Sequence, residues 1–241
     1  MKARYILKYL IFLLLMVSIG ILYSFSNARN KRMNINEIHV RFQSKEHPFL
    51  SKNMVNKLLI QNDSSVQNQA KSVIDLYRLE EQVLKNPYIE KASLYIGIDG
   101  AINALIKQRT PIARVITSDK TYYLDSKGVR IPLSERYSAR VPLITGIERG
   151  EDVKKVIVLL QKMTTDDFLK REIIGIHFNN SKECLFTVRS GNYKIAFGAL
   201  KEMDQKFRKL KAFYNKAFLD STIQQYKTIN IKYHNQVVGE K

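Results

Sequence analysis

The stretch Leu94–Lys107, LYIGIDGAINALIK, decides the fold of the first half of the chain. Apolar residues alternate with others on both sides of the dipeptide Asp99-Gly100. A two-residue Asp-Gly link between alternating strands predicts a β-hairpin, because a type I′ turn requires positive φ at both central residues. The inward face is predicted to carry Leu94, Ile96, Ile98, Ile102, Ala104 and Ile106.

One strand and two helices are predicted before this hairpin. Residues 38–42 alternate as a strand, and Ser51 is an N-cap for a short helix. A second helix is predicted over Asp75–Leu84, with Pro87 disfavouring helical geometry in the residue before it. The inward residues of the two helices are predicted to be Met54, Val55, Leu58 and Leu59, then Leu76, Leu79, Val83 and Leu84.

The segment between the two helices, Gln61–Ser72, is polar and is predicted to be a loop. Residues 35–109 therefore indicate a small β-α-α-β-β domain, with both helices on one face of a three-stranded sheet.

The N-terminal region contains an uncharged apolar run of seventeen residues, Tyr9–Phe25. A helix needs about 17–25 such residues to cross a bilayer. We predict a tail at 1–8, a transmembrane anchor at 9–26 and a polar, basic tether at 27–34. Basic residues nearly balance across the run, so the positive-inside rule does not decide the orientation. The short tail favours a cytoplasmic N-terminus.

A cleaved signal peptide is the alternative interpretation of the same run. Such a peptide has a basic start, an apolar centre of about 7–15 residues and a small-residue cleavage site. The apolar run here is slightly long, and the residues 24–28 (SFSNA) lack a clean Ala-x-Ala. Hydropathy alone leaves both interpretations open.

Residues 110–241 are predicted to form a β-rich α+β domain. Its helices are predicted over 151–163 and 199–218, the second with a solvated basic face that includes Lys206. Ile229, Ile231 and Tyr233 alternate with polar residues and predict a terminal strand. The other strands are predicted at 121–124, 129–131, 141–145, 173–178, 183–188 and 193–197.

The net charge of +18, from 40 Lys and Arg against 22 Asp and Glu, raises the question of nucleic-acid binding. The basic residues are spread along the whole chain and form no nucleic-acid motif. We therefore interpret them as general surface charge and expect no nucleic-acid partner. The single cysteine, Cys184, lies in an apolar run and is predicted to be a small buried hydrophobe.

The chain shows no pattern of catalytic residues. Its four histidines stand apart, without the HExxH spacing of a zinc site, and no GxSxG motif or phosphate-binding glycine loop occurs. Asp166-Asp167 is interpreted as surface charge. We expect no catalytic residue, metal site, cofactor or small-molecule substrate. A membrane-anchored Ser/Lys peptidase shares this layout and is the enzymatic alternative, although no serine lies in a recognisable nucleophile setting.

Four segments together resemble the bacterial cell-division family FtsQ/DivIB. The segment 86–94 (NPYIEKASL) and its hairpin are similar to the family's polypeptide-transport-associated (POTRA) domain. QRTPIAR at 108–114 resembles the junction to the following β domain, and YYLDSKG at 122–128 its next hairpin. KTINIKYHNQVVG at 227–239 is similar to the family's last strand.

The resemblance implies a non-enzymatic divisome scaffold that supports septum formation and binds FtsB- and FtsL-type partners. It also implies a single-pass protein of the cell (inner) membrane with a cytoplasmic N-terminus and an extracytoplasmic body. The strand after Ile229 is expected to be an unpaired edge that a partner strand extends. The predicted partner contacts are Tyr233, Asn235, Gln236 and Val237. A POTRA-containing transport or assembly component is the alternative within the same domain type.

Overall fold

The computed structural model of the chain describes residues 2–44, 48–61, 64–66, 69–147, 150–220 and 222–241. The chain divides into two compact units, Met1–Gln108 and Arg109–Lys241.

The first unit begins with one long helix, α1 (Lys2–Arg32). Residues Lys8–Asn30 of α1 are long and apolar enough to cross a membrane, and none of their most apolar stretch is buried. The helix does not end with the apolar run but continues through the basic residues to Arg32. Residues 27–32 are therefore helical and do not form a separate tether. Ala, Arg and Lys in this segment are good helix formers, which explains the continuation.

A three-stranded sheet forms the centre of the first unit, as predicted. β1 (Ile38–Phe42) pairs in parallel with β5 (Ile102–Gln108), which pairs on its other side with antiparallel β4 (Ile89–Ile96). The hydrophobic core of the first unit, formed by the sheet and its helices, includes Val40, Val55, Leu79, Val83, Ile89, Leu94, Ile102 and Ile106.

Both predicted helices of this unit are present, and the first begins at the predicted N-cap, Ser51. Ser51 Oγ accepts from the Met54 N–H at 3.3 Å and starts α2 (Lys52–Leu58). Asp75 Oδ1 accepts from the Arg78 N–H at 3.0 Å and starts α3 (Leu76–Leu84).

The prediction that Met54 and Leu84 face inward is wrong. Their side chains are 38% and 43% exposed, whereas the adjacent Val55 and Val83 are fully buried. Neighbouring residues on a helix are about 100° apart, so a short helix that buries one narrow stripe leaves both outside it.

The β4–β5 hairpin is present, but its turn differs from the predicted type I′. Gly100 has φ +81°, while Asp99 is not among the residues with positive φ. The Gly100 N–H donates to the Gly97 carbonyl at 3.2 Å and the Gly97 N–H to the Ala101 carbonyl at 2.8 Å. These bonds define a three-residue loop closed by a left-handed glycine. The longer loop moves Ile98 from the predicted inward face to the hairpin tip, where it is 99% exposed.

The polar segment after α2 contains more structure than a loop. β2 (Ile60–Gln61) pairs with β3 (Ser64–Ser65), and residues Lys71–Val73 form a 3-10 turn. Residues 62, 63, 67 and 68 lie outside the described residues. The Lys71 N–H donates to the Met33 carbonyl at 2.8 Å, so this segment is fastened to the chain that leaves α1.

The second unit is built on one mixed sheet of nine strands. They are β6 (Pro111–Ile116), β7 (Thr121–Asp125), β8 (Arg130–Pro132), β9 (Leu143–Thr145), β10 (Ile173–Phe178), β11 (Cys184–Val188), β12 (Lys194–Gly198), β13 (Thr228–Asn230) and β14 (Val238–Glu240). Their order in the sheet is β14-β13-β12-β11-β10-β9-β6-β7-β8. The pairs β6–β9, β9–β10 and β12–β13 are parallel.

In the described residues of this unit, three α-helices accompany the sheet: α4 (Gly150–Thr164), α5 (Asp167–Glu172) and α6 (Met203–Leu219). The helix α5 was not predicted. It begins because Asp166 Oδ1 accepts from the N–H groups of Phe168 and Leu169, both at 3.1 Å. Asp166 is therefore a helix cap and not simply surface charge. The shared core includes Val156, Leu160, Phe186, Ile195, Phe197, Phe207 and Leu210.

The helix α6 starts four residues later than its pattern predicts. Gly198 and Glu202 have φ of +73° and +50°, so the chain turns sharply between β12 and α6 before helical geometry begins. This turn also explains an error in the predicted basic face, because Lys206 is only 7% exposed. Its ammonium donates to the carbonyls of Phe197 at 3.0 Å and Ala199 at 2.7 Å, which lie at the turn before α6.

Candidate functional site

The candidate site is the end of the nine-stranded sheet formed by β13 and β14. The two strands pair antiparallel, with Thr228 opposite Glu240 and Asn230 opposite Val238. β14 is the last strand in the sheet order, so within the described residues it has a strand neighbour on one side only. All three of its residues are exposed. This edge can accept a further strand through its backbone.

The prediction of one continuous strand through Tyr233 is wrong. β13 ends at Asn230, whose Oδ1 accepts from the Lys232 N–H at 3.1 Å and turns the chain. Ile231 is fully buried, and its N–H donates to the Ala196 carbonyl at 3.1 Å. The chain then loops over residues 232–237 and returns as β14. The free edge is therefore the returning strand and not the segment that contains Tyr233.

The loop 232–237 is held by side chains of α6. The Lys209 ammonium donates to the Tyr233 carbonyl and, at 3.4 Å, to the Ile231 carbonyl. Gln205 Nε2 donates to the His234 carbonyl at 3.3 Å. Because these bonds are to the loop backbone, they fix the loop while the side chains of residues 233–236 stay exposed to solvent.

The four predicted contact residues lie in this loop but not in equivalent surroundings. Tyr233 is 51% exposed and lies outside the core, and Asn235 and Gln236 are also exposed. Val237 is partly buried and packs against the core of the unit.

The sequence interpretation missed two parts of this site. One is the exposed strand Val238–Glu240, and the other is Lys209, which appeared only as one cation among many on α6. Gly239 was the available signal for the returning strand. A Cβ there would lie 2.3 Å from Cε1 of Tyr226, so the close approach of β14 to that ring requires glycine.

A second cluster of polar side chains is mostly buried in the second unit. Glu172 accepts from the hydroxyls of Ser190 and, at 3.0 Å, Tyr214. Tyr193 donates to Tyr214 at 2.8 Å. The two tyrosines are 2% and 1% exposed, and burial raises the pKa of each. The cluster therefore joins α5, the β11–β12 connection and α6 as an internal network.

Cys184 is buried at 2% exposure, as predicted. Burial raises the pKa of its thiol to about 12, so the thiolate that would act as a nucleophile is not formed near neutral pH. Among the described residues, no group of three or more His, Cys, Asp or Glu side chains is placed to hold a metal ion.

The chain is similar in sequence to two protein families and to a known cell division protein. The family model described as FtsQ/DivIB, C-terminal related, matches residues 110–240, and that of the POTRA-like domain matches residues 35–107. The cell division protein FtsQ of Geotalea daltonii is 27% identical over 181 residues, which cover 69% of this chain and 63% of that protein. The chain therefore matches less than two thirds of the length of this relative.

A solved structure is also similar to part of the chain. It is the major extracytoplasmic domain of the cell division protein DivIB from Geobacillus stearothermophilus, with a TM-score of 0.34 and 16% sequence identity. The match covers 48% of this chain and 98% of that domain.

Proposed function

Since the chain belongs to the FtsQ/DivIB family of cell-division proteins, we propose that it is a membrane-anchored, non-enzymatic scaffold of the divisome. In this proposal α1 is a retained anchor in the cell (inner) membrane, the N-terminus is cytoplasmic and the two units lie outside the cytoplasm. The scaffold binds FtsB- and FtsL-type partners and supports septum formation.

The observation that carries the proposal is the exposed edge of β14. A partner strand that pairs with Val238–Glu240 would extend the nine-stranded sheet by one strand. Main-chain hydrogen bonds would supply affinity, and neighbouring side chains would supply specificity. The exposed Tyr233, Asn235 and Gln236 are the proposed side-chain contacts beside this edge. Tyrosine is enriched among the residues that dominate binding energy at interfaces. Val237 packs against the core and so helps to hold the loop that carries these contacts.

The test is co-purification of FtsB- and FtsL-type partners with the full-length chain from solubilised membranes. Val238→Lys places a charge on the edge strand, which opposes strand addition. The control is Leu133→Lys, which alters a side chain of similar exposure next to β8: Val238 is 37% and Leu133 46% exposed. We expect Val238→Lys to reduce the recovered partner roughly tenfold, a loss of about 1.4 kcal/mol of binding free energy. Leu133→Lys should leave recovery unchanged.

Equal recovery with both variants, at unchanged thermal stability, would exclude β14 as the docking edge. The wider proposal has a separate test in depletion of the chain from cells. Undivided, filamentous cells are expected for a divisome scaffold. Normal division with defective transport or assembly of outer proteins would instead favour a POTRA-containing transport component. Intact Met1 or Lys2 in the mature protein supports a retained anchor, whereas a mature protein that begins near Asn27 contradicts it.

A further inference from the structure

The tip of the β4–β5 hairpin presents an unusual apolar side chain. Ile98 is 99% exposed, more than any other large apolar side chain in the described part of the chain. The loop that carries it is well bonded: Asp99 Oδ1 accepts from the Ala101 N–H at 3.1 Å, in addition to the two backbone bonds of the turn. An isoleucine held outward on a fixed loop is available for contact with an apolar surface.

This tip lies beside the end of α1, within the same unit. One groove is lined on the α1 side by Tyr23, Ser26 and Asn27, and on the hairpin side by Ile96, Gly97 and Ile98.

The chain between α1 and β1 fixes the position of the tip. Asn36 Nδ2 donates to the Asp99 carbonyl at 3.4 Å. A Cβ at Gly100 would lie 3.1 Å from both the Asn34 carbonyl oxygen and Met33 Sδ, so the hairpin packs closely against this segment.

The neighbouring α1 residues set the level of Ile98 relative to the membrane. Phe25 is the last residue of the uncharged run, and Asn27 lies about 3 Å further along the helix axis at a rise of about 1.5 Å per residue. Tyr23, 73% exposed, is of the residue type that collects at the boundary between acyl chains and headgroups. A side chain beside residues 23–27 is therefore at the membrane–water interface.

Charge around the groove is mainly positive. Arg29 and Lys71 line it, and Arg32 is exposed on the next turn of α1. Lys71 Nζ also donates to Asn30 Oδ1 at 3.2 Å, which keeps the ammonium close to α1. Two carboxylates are nearby. Asp99 is bonded to its own loop, and Glu37 lies 3.5 Å from His39 Nε2. The three cations favour anionic phospholipid headgroups.

From these placements we propose that the hairpin tip is a second membrane contact of this protein. Ile98 inserts at the headgroup–acyl boundary of the bilayer that α1 crosses, and Arg29, Arg32 and Lys71 bind anionic phospholipid around it. The contact holds the hairpin tip of the POTRA-like unit at the level of the headgroups. This inference goes beyond the scaffold function, which assigns no lipid contact to this unit.

The chain contains no tryptophan, so a single introduced tryptophan reports its own surroundings without background. The full-length chain with the substitution Ile98→Trp is reconstituted in vesicles of phosphatidylcholine and phosphatidylglycerol. The lipids of these vesicles carry bromine at defined positions of their acyl chains. The matched control is Leu84→Trp, at a side chain that is 43% exposed and lies at the end of the unit opposite the tip. The two ends of β4 are about 24 Å apart at roughly 3.4 Å per residue.

In the Ile98→Trp variant we expect the indole to be quenched most strongly by bromine near the headgroup end of the acyl chains, with emission shifted to the blue. The indole of the Leu84→Trp control should be neither quenched nor shifted. Interfacial side chains reach about 5–10 Å below the headgroups, so bromine near the bilayer centre should quench the tip indole less.

Two outcomes would overturn the proposal. One is emission from the Ile98→Trp variant that matches the control and is insensitive to every brominated lipid. The other is a blue shift that occurs only after division proteins are added, which would identify a protein partner instead of the bilayer.

The cationic part of the proposal has its own measurement. Vesicles of phosphatidylcholine alone should quench the Ile98→Trp variant less than vesicles with phosphatidylglycerol, and high salt should reduce that difference. Replacing Arg29, Arg32 and Lys71 together by Gln should remove the dependence on anionic lipid while the α1 span stays inserted. Equal quenching in both lipid mixtures would contradict headgroup binding by these three residues.

Discussion

The two outer strands of the nine-stranded sheet, β8 and β14, meet solvent in different ways. β8 contains Pro132, which has no N–H to offer, and Arg130, whose guanidinium lies 4.9 Å from the centre of the Tyr122 ring. Proline and charge on an outer strand are established means of preventing strand addition. β14, Val238–Glu240, carries a charge at Glu240 but has no proline, and all three of its residues are exposed. One end of the sheet is therefore protected, and the other can accept a partner.

The supports behind the two edges also differ. Near β8, the Tyr123 hydroxyl accepts from the Ala139 N–H at 3.1 Å and from the Arg114 guanidinium. Arg114 also donates to Ser138 Oγ at 2.6 Å, so side chains of the sheet fasten residues 138–139 in the connection after β8. Near β14, the loop is fastened from α6, chiefly by Lys209. The connection after the protected edge is therefore fastened by side chains of the sheet, whereas the loop before the open edge is fastened by side chains of a helix.

The largest expected effect comes from removing the buried isoleucine at each end. Ile131 and Ile231 are both fully buried, so Ile131→Ala and Ile231→Ala should each lower the free energy of unfolding by about 2–5 kcal/mol. Only Ile231→Ala should also reduce partner co-purification, because Ile231 positions the loop before β14. Urea unfolding and co-purification measure the two effects. Equal loss of partner with both variants would remove the distinction between the edges.

A smaller loss of folding stability is expected from adding a methyl group between β14 and the Tyr226 ring. Gly239→Ala should cost about 1–3 kcal/mol, since the new methyl overlaps the ring and forces a shift. Faster hydrogen exchange over residues 238–240 and weaker partner binding should accompany it. In a Tyr226→Ala background the same substitution should cost little, because the overlapping ring is gone. A full cost in both backgrounds would mean that the ring does not set the position of β14.

Removing the ammonium of Lys209 should have a still smaller effect. Lys209→Met keeps the apolar stem but leaves the Ile231 and Tyr233 carbonyls without this donor, at a cost of about 0.5–1.5 kcal/mol. The neighbouring exposed Arg208→Met is the matched control and should change stability by less than about 0.5 kcal/mol. Hydrogen exchange in the 231–237 loop measures the difference. Identical exchange in both variants would exclude Lys209 as the clamp of the loop.

The smallest expected effect concerns pH and the attachment of α6 to α5. Burial acts to raise the pKa of Asp166, but the Lys211 ammonium and the Leu169 and Phe168 N–H groups outweigh it and lower the pKa. The resulting stabilisation is complete above the unfolded value of about 3.9 and is lost as pH falls through the lower folded pKa. For this partly exposed pair it amounts to at most about 1 kcal/mol.

Asp166→Asn should remove this loss of stability at acidic pH. The dependence of stability on pH outside that range should be unchanged. Thermal unfolding at a series of pH values measures it. A wild-type acid dependence retained in Asp166→Asn would show that other groups cause it.

Periodicity predicted the first unit well because its hairpin, helix caps and apolar alternation are local features. It failed at the candidate site for a physical reason. Ile229, Ile231 and Tyr233 continue a strand pattern, but the hydrogen bond from the Lys232 N–H to Asn230 Oδ1 ends the strand between them. A side chain that competes with the ladder in this way leaves the apolar alternation unchanged.

Two other features of the second unit depend on contacts between residues that are distant in sequence, which no local pattern contains. Gly239 and Tyr226 meet only after the chain has turned back on itself. The ammonium of the buried Lys206 donates to the carbonyls of Phe197 and Ala199 at the turn before α6, and a count of charges along the helix does not reveal these contacts.

The continuity of α1 through Arg32 has a mechanical consequence. Its 31 residues form a rod about 46 Å long, of which the hydrocarbon core of a bilayer surrounds about 30 Å. A helix without a flexible joint acts as a lever arm. At a tilt of about 20°, one end of this rod is displaced sideways by about 16 Å relative to the other. Changes in bilayer thickness that alter the tilt would therefore swing the POTRA-like unit across the membrane surface, a motion that a flexible linker would absorb.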